Sequence, residues 1–265
     1  MHKSLICITT CNRLEEVKKF SKDYINFCKK NKNFDFLLSV DGSKGINKKI
    51  IEFSNKNNIP CLYSRKRGGV GLSKNRVFKT FKNYDYYFFV EDDVELLDDT
   101  IFNTHIKLSL KTKIPHFSLH PVERLLDVVN KLKIDDKIII QAMYGSAQFN
   151  FFTRSVLLKV GGWHTIFAKY KRYGHTEHSY RIFRKGLCPT PFNLIENCIK
   201  CIKEHKIPPV TKIKDVEVTK KRIVKIEQDL IDKKIKYFPF RSLYDYHLNN
   251  YAQTLRKAFK KTVIK

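Results

Sequence analysis

The sequence predicts an α/β fold, a doubly wound and mostly parallel sheet with a helical C-terminal appendage. Three observations point to it. Short apolar runs at Leu5–Thr10, Phe36–Val40, Cys61–Ser64 and Tyr86–Val90 alternate with stretches of helical periodicity, and strand-helix alternation of this kind builds parallel sheets. The run Tyr86-Tyr87-Phe88-Phe89-Val90 has no strongly polar member, as expected of a strand buried on both faces. It then ends abruptly in Glu91-Asp92-Asp93, which puts carboxylates at the sheet edge where open α/β folds bind ligands.

The elements follow in order. Leu5–Thr10 is a buried strand, Cys11-Asn12-Arg13 a turn, and Leu14–Lys30 an amphipathic helix whose apolar positions Leu14, Val17, Phe20, Tyr24 and Phe27 recur every three or four residues. Phe36–Val40 is the second strand and ends in Asp41-Gly42-Ser43, a further acid at a carboxyl end. A helix over Lys48–Asn57 and a strand at Cys61–Ser64 lead to the basic, glycine-rich Arg65-Lys66-Arg67-Gly68-Gly69-Val70-Gly71 and a helix over Leu72–Phe81. That loop fits neither the P-loop nor the dinucleotide pattern. Its glycines and helix start suit a phosphate with Lys74 and Arg76 as counter-charges, or else form a solvated loop. After Tyr86–Val90 come a helix over Leu97–Leu110, extended pieces at Ile114–Leu119, Ile138–Gln141 and Gly145–Thr153, and a short helix at Ser155–Val160 stopped by Gly161-Gly162.

Trp163, the only tryptophan, follows, and is either a wall for a ring-shaped ligand or a core residue. Tyr173-Gly174-His175-Thr176-Glu177-His178 then opens another helix. Glu177 between His175 and His178 could supply a general base and a metal-binding imidazole. From Lys200 onward the chain is lysine-rich, with Pro208-Pro209 as a boundary that divides it into residues 1–207 and a basic extension, 208–265. In the extension, Val218–Lys233 reads as a helix, Tyr237-Phe238-Pro239-Phe240 as an aromatic turn and Tyr244–Lys261 as a helix. The basic amphipathic end either touches an anionic membrane surface or is a solvated face.

Composition narrows the classes. No apolar run approaches the ~20 residues of a membrane span, and the N-terminal stretch carries no signal-peptide pattern, so cytoplasmic residence is the expectation. Seven scattered cysteines fit reduced thiols, and Cys198-x-x-Cys201 lacks the second pair of a zinc ribbon. A formal charge of +26 attracts polyanions, whether nucleic acid, anionic lipid or anionic nucleotide substrates, or else reflects a lysine-rich source. Carboxylates gathered at one strand end either cap the next helix or hold a hard cation such as Mg²⁺ or Mn²⁺.

Taken together, these stretches resemble the family 2 glycosyltransferases and their relatives with the glycosyltransferase A-type fold, over about residues 4–190. Ile8-Thr9-Thr10-Cys11-Asn12-Arg13 is similar to that family's first strand and Thr-Tyr-Asn-Arg turn, Val40-Asp41-Gly42-Ser43 to its second-strand acid, and Val90-Glu91-Asp92-Asp93 to its Asp-x-Asp motif. Gly161-Gly162-Trp163 and Gly174–Arg181 are similar to its Gly-Gly-Phe segment and the later motif bearing the catalytic base. The resemblance implies that Thr10 and Asp41 bind the nucleotide base, that Lys74 or Arg76 touches base or diphosphate, that Arg13 belongs to the nucleotide-binding set, that Asp92 meets ribose and that Asp93 ligates Mn²⁺ or Mg²⁺. Glu91 departs from the usual first Asp. His-Thr-Glu-His departs from the usual Glu-Asp pair, which leaves Glu177 as first choice of base, His175 as second, and His178 as a metal ligand.

The activity implied is inverting, metal-dependent transfer of a sugar from a nucleotide-diphosphate donor, UDP-sugar favoured, to a hydroxyl of a glycan, lipid-linked or protein acceptor, with Trp163 against a sugar ring. The rivals are a basic nucleic-acid-binding protein, which leaves the strand-to-acids junction unexplained, and a sugar nucleotidyltransferase, whose first loop should carry glycine where Thr9–Arg13 has none.

Overall fold

A computed structural model describes residues 2–119, 126–146, 148–167, 174–208, 216–232, 234 and 246–262. The proposed aromatic turn at 237–240 and Pro209 of the proposed boundary lie outside those residues.

A seven-stranded sheet organises the chain. Its parallel centre is β3 (Cys61–Ser64), β2 (Phe34–Val40), β1 (Ser4–Thr10) and β4 (Tyr86–Glu91), in that spatial order. The connections are α1 (Leu14–Lys30), α2 (Ile46–Lys56) and α3 (Val70–Thr80). All seven residues of β1 are buried, the condition of a strand covered on both faces. Beyond β4 the direction changes, because β9 (Phe149–Thr153) lies antiparallel between β4 and β6 (His116–Leu119). The core is aromatic: Phe88 packs edge-on to Phe102 at 5.0 Å, and Phe102 stacks on Phe27 at 4.6 Å.

The predicted helices form with small shifts at their ends, and the larger differences have local causes. The helix expected from Leu97 begins later, as α4 (Thr100–Thr112), because Val94–Leu96 is a strand, β5, paired with β11 (Ile202–Glu204). Ile138–Gln141 widens into β8 (Lys137–Tyr144), the middle of an antiparallel sheet between β7 (Leu126–Ile134) and β10 (Phe192–Ile195). Strand β7 gave no sequence signal, since its Val128 and Val129 face solvent and its lysines blur the alternation.

After α5 (Arg154–Val160), α6 (Gly174–Arg184) and α7 (Val216–Ile231), the expected helix over Tyr244–Lys261 divides in two. Tyr246–Leu248 is strand β12, antiparallel to β3, and α8 spans Asn250–Thr262. Asn249 makes the division. Its side-chain oxygen accepts from the Ala252 amide at 2.9 Å, an N-cap, and from the Cys61 amide at 3.0 Å.

Register brings the polar ends together. Thr10 lies opposite Val40, Thr9 opposite Glu91 and Val40 opposite Tyr63, so the residues after β1, β2, β3 and β4 emerge along one rim.

Candidate active site

The rim is built around an arginine and two aspartates. Asn12 turns the chain after β1 in the left-handed region, φ 60°, and its amide is held by Asn47 Oδ1 at 2.7 Å. Arg13 is thereby aimed along the rim. Its Nη1 donates to Asp92 Oδ1 at 2.7 Å and to Asp93 Oδ2 at 3.0 Å, while Nη2 donates to the Pro208 carbonyl at 3.2 Å. Burial alone would lower the Arg13 guanidinium, but Asp92 and then Asp93 outweigh it and hold its pKa above the usual value. Asp93 is fixed from the other side, where its carbonyl accepts from the His205 amide at 2.8 Å. His205 in turn stacks on Phe20 and meets Glu95 at 2.7 Å.

The carboxyls feel this crowding. Burial raises Glu91 to about 7, with Lys74 opposing and Asp93 and Asp92 adding. Burial also raises Asp92 to about 6 against the pull of Arg13 and Thr10. Thr10 itself is buried at the end of β1, beside them. Glu91 is the last residue of β4, bound through its amide to the Gln148 carbonyl.

Asp41 has a different surrounding. Its two oxygens accept from the Gly68 amide at 2.8 Å and the Gly69 amide at 2.6 Å, and Arg76 Nη1 approaches at 3.4 Å. The carboxylate therefore folds the basic loop over the end of β2, and Arg76, 1% exposed, is held beneath it. Gly69 has φ 87°, which an L side chain rarely adopts. A Cβ on Gly68 would fall 2.8 Å from Leu72 Cδ1, so the loop is packed and not a loose tether.

Lys74, predicted as a counter-charge beside Arg76, points into the interior. It is 2% exposed, with Nζ 5.3 Å from the centre of Trp163 and 5.8 Å from that of Phe89. Burial lowers its pKa, while Glu91 supports the charged form. Trp163 is a core residue. Its backbone amide and carbonyl are clamped by the Asn75 side chain, both at 2.8 Å, and its ring meets Phe89, Phe152 and His178.

The His-Thr-Glu-His segment opens α6 with its members facing different ways. Glu177 is 1% exposed and paired with Arg181 at 2.9 and 3.0 Å, while Arg181 also donates to the carbonyls of Val160 and Gly162. Burial raises Glu177 and Arg181 counters it. His178 shares Nε2 with the Gly161 carbonyl at 2.9 Å and stacks on Trp163 at 4.5 Å. Its Nδ1 is buried without a partner among the described residues, and burial holds the imidazole well below its usual value. His178, expected as a metal ligand, is fully buried against Trp163. His175 is half-buried in the first turn of the helix.

Asp92 and Asp93 fit a hard divalent ion by their chemistry. They already direct one oxygen each at a single cationic nitrogen, and Asp93 Oδ1 is buried without a partner among the described residues. Among the described residues no cluster of three or more metal-ligating side chains exists. Such an ion would draw its remaining ligands from phosphate and water.

Sequence reasoning missed the Arg13 bridge, the use of Asp41 on the loop, and the Glu95–His205 pair. Only the Glu177–Arg181 pair left a signal, its four-residue spacing on a helix.

The parallel β3-β2-β1-β4 core, the antiparallel strands beyond β4 and the acids at the carboxyl rim define the glycosyltransferase A-type fold of nucleotide-diphospho-sugar transferases. No protein-family model matches the chain, and no curated protein matches it in sequence. Solved structures do. The mannosyltransferase PcManGT of Pyrobaculum calidifontis, in complex with GDP-Man and Mn²⁺, superposes with a TM-score of 0.55 at 9% identity over 90% of this chain. The chain spans 66% of that protein's length. A Drosophila β1,4-galactosyltransferase 7 mutant, in complex with manganese, UDP-Gal and xylobiose, gives 0.51 at 13% identity over 83% of this chain and 79% of its own. No helix among the described residues is long and apolar enough to cross a membrane.

Proposed function

We propose that the chain is a glycosyltransferase that moves a sugar from a nucleotide-diphosphate donor, a UDP-sugar or GDP-sugar, to an acceptor hydroxyl with inversion at the anomeric carbon. The observation carrying this reading is the convergence of Asp92 and Asp93 on one cation position at the carboxyl rim of a glycosyltransferase A-type sheet. Bound Mn²⁺ or Mg²⁺ would neutralise charge on the leaving diphosphate.

The chain's own residues have the following roles in this reading. Asp93 and Asp92 would hold the ion, and Arg13 would contribute positive charge to the diphosphate. The loop that Asp41 closes carries Arg65, Lys66 and Arg67 along the donor's edge, and Thr10 bounds the base. Lys74 lies under this floor and offsets Glu91. His175, half-buried in the first turn of α6, takes the acceptor proton in this reading. Glu177, sealed against Arg181, anchors that helix start, and Trp163 supports it, with Cδ1 4.0 Å from where a Gly174 Cβ would stand.

The net charge of +26 favours a second reading, a nucleic-acid-binding protein. Thermal shift separates them. UDP or GDP with Mn²⁺ should raise the melting temperature by several degrees in the wild type and not in Asp93→Ala, and single-stranded DNA should do less. A larger shift from DNA, unaffected by Asp93→Ala, would sink the transferase reading. A panel of nucleotide sugars with Mn²⁺, read by released nucleotide, then identifies the donor.

A further inference from the structure

The position an ion needs is taken by a side chain. Arg13 Nη1 lies 2.7 Å from Asp92 Oδ1 and 3.0 Å from Asp93 Oδ2. A divalent ion bound to the same two oxygens would compete with that nitrogen for them and repel its charge. The two are rivals for one pair of carboxylates. The backbone on both sides is fixed, by Asn12 on Asn47 and by Asp93 on His205. The Arg13 side chain is held less firmly. Apart from the acids its guanidinium donates, among the described residues, to the Pro208 carbonyl, and its Nε is buried without a partner among them.

We propose that Arg13 is the resident counter-cation of the Asp92–Asp93 pair and exchanges with the divalent ion, turning onto the diphosphate that arrives with it. The inference deepens the transferase reading and rests on it for the identity of the anion. A bare ion must displace a guanidinium from two carboxylates and leave it unpaired beside a second positive charge. An ion arriving with a diphosphate gives the guanidinium a bidentate acceptor in exchange. Ion and diphosphate therefore bind with positive coupling, and by linkage each tightens the other by the same factor. Without the guanidinium the acids face each other uncompensated, and the bare ion binds well.

The test is titration of Mn²⁺, read from the electron paramagnetic resonance signal of the free ion, on wild type, Arg13→Gln and Arg13→Lys, each with and without UDP. Circular dichroism confirms folding in each. The expected result is weak Mn²⁺ binding by the free wild type, at least about tenfold tighter binding by Arg13→Gln, and a UDP-dependent tightening that is large in the wild type and mostly lost in Arg13→Gln. Arg13→Lys keeps a charge but not the fork, and falls between the two. Equal or weaker Mn²⁺ binding by Arg13→Gln overturns the exchange, and so does failure of both proteins to bind Mn²⁺ alone. Should Arg13→Gln be unfolded, Arg13→Lys decides alone, and an affinity no tighter than wild type overturns the proposal. If Mn²⁺ tightens in Arg13→Gln but UDP binds none of the proteins, the exchange stands and the transferase reading falls. If UDP binds with Mn²⁺ and the substitution changes nothing, the reverse holds.

Discussion

Glu91 sits well above the usual carboxylate range because it is buried. Burial lifts it to about 7 from 4.5, so between those values the folded chain holds a proton that the unfolded chain has released. Stability from this group is then highest at the acid end of the window and declines as pH rises through it, by up to about 3 kcal/mol. Glu91→Gln should remove that slope: the melting temperature of the variant, minus that of wild type, rises from pH 4.5 to 7. A difference flat across the range would mean that Glu91 is ionised throughout. The acids themselves were legible, because an apolar run breaking into three carboxylates is a signal along the chain. Their partners were not, since Arg13 and Asp92 lie 79 positions apart and only the register of β1 against β4 brings them together.

At the level of elements, two short segments hold the rim in shape, each by one buried carboxylate. Asp41 folds the glycine loop by accepting from two amides beside Arg76. Asp41→Ala leaves all three donors short of an acceptor and should cost about 3 kcal/mol in urea unfolding, with nucleotide binding weakened as the loop loosens. A loss below about 1 kcal/mol would mean that the loop holds without it.

In α6 the pairing of Glu177 with Arg181 makes a parallel case. Arg181→Met strands a buried carboxylate and should cost about 3–5 kcal/mol. His175→Gln should abolish sugar transfer while circular dichroism shows the variant still folded. Activity surviving in His175→Gln but not in Glu177→Gln at equal stability would return the base to Glu177. Periodicity made these helices readable in advance. It could not tell which of two histidines and a glutamate in one turn would face inward, because that depends on where Trp163 and Gly161 pack against the helix.

At the scale of the molecule, Tyr246–Leu248 is part of the main sheet. Strand β12 covers the edge of β3, Ala252 is fully buried, and Asn249 bonds to Asn55, Ile59 and Cys61. A chain ended at residue 245 should melt several degrees lower and aggregate, as an uncovered strand edge invites pairing between molecules. Light scattering during a thermal ramp checks this, and unchanged behaviour would show β12 to be dispensable. The parallel centre of the sheet was readable from its buried runs. Strand β12 was not, because Tyr246–Leu248 is too short and too polar to stand apart from the helical pattern that follows.

That closure has a consequence for how the protein is made. Cys61 and Asn249 meet across 188 positions, so as the polypeptide leaves the ribosome at roughly 5–20 residues per second, the outer flank of β3 waits for about ten seconds or longer with no neighbour. During that interval the nascent chain offers an open template to other nascent chains. Its yield in a cell therefore depends on chaperones and growth temperature more steeply than the finished fold's own stability would indicate.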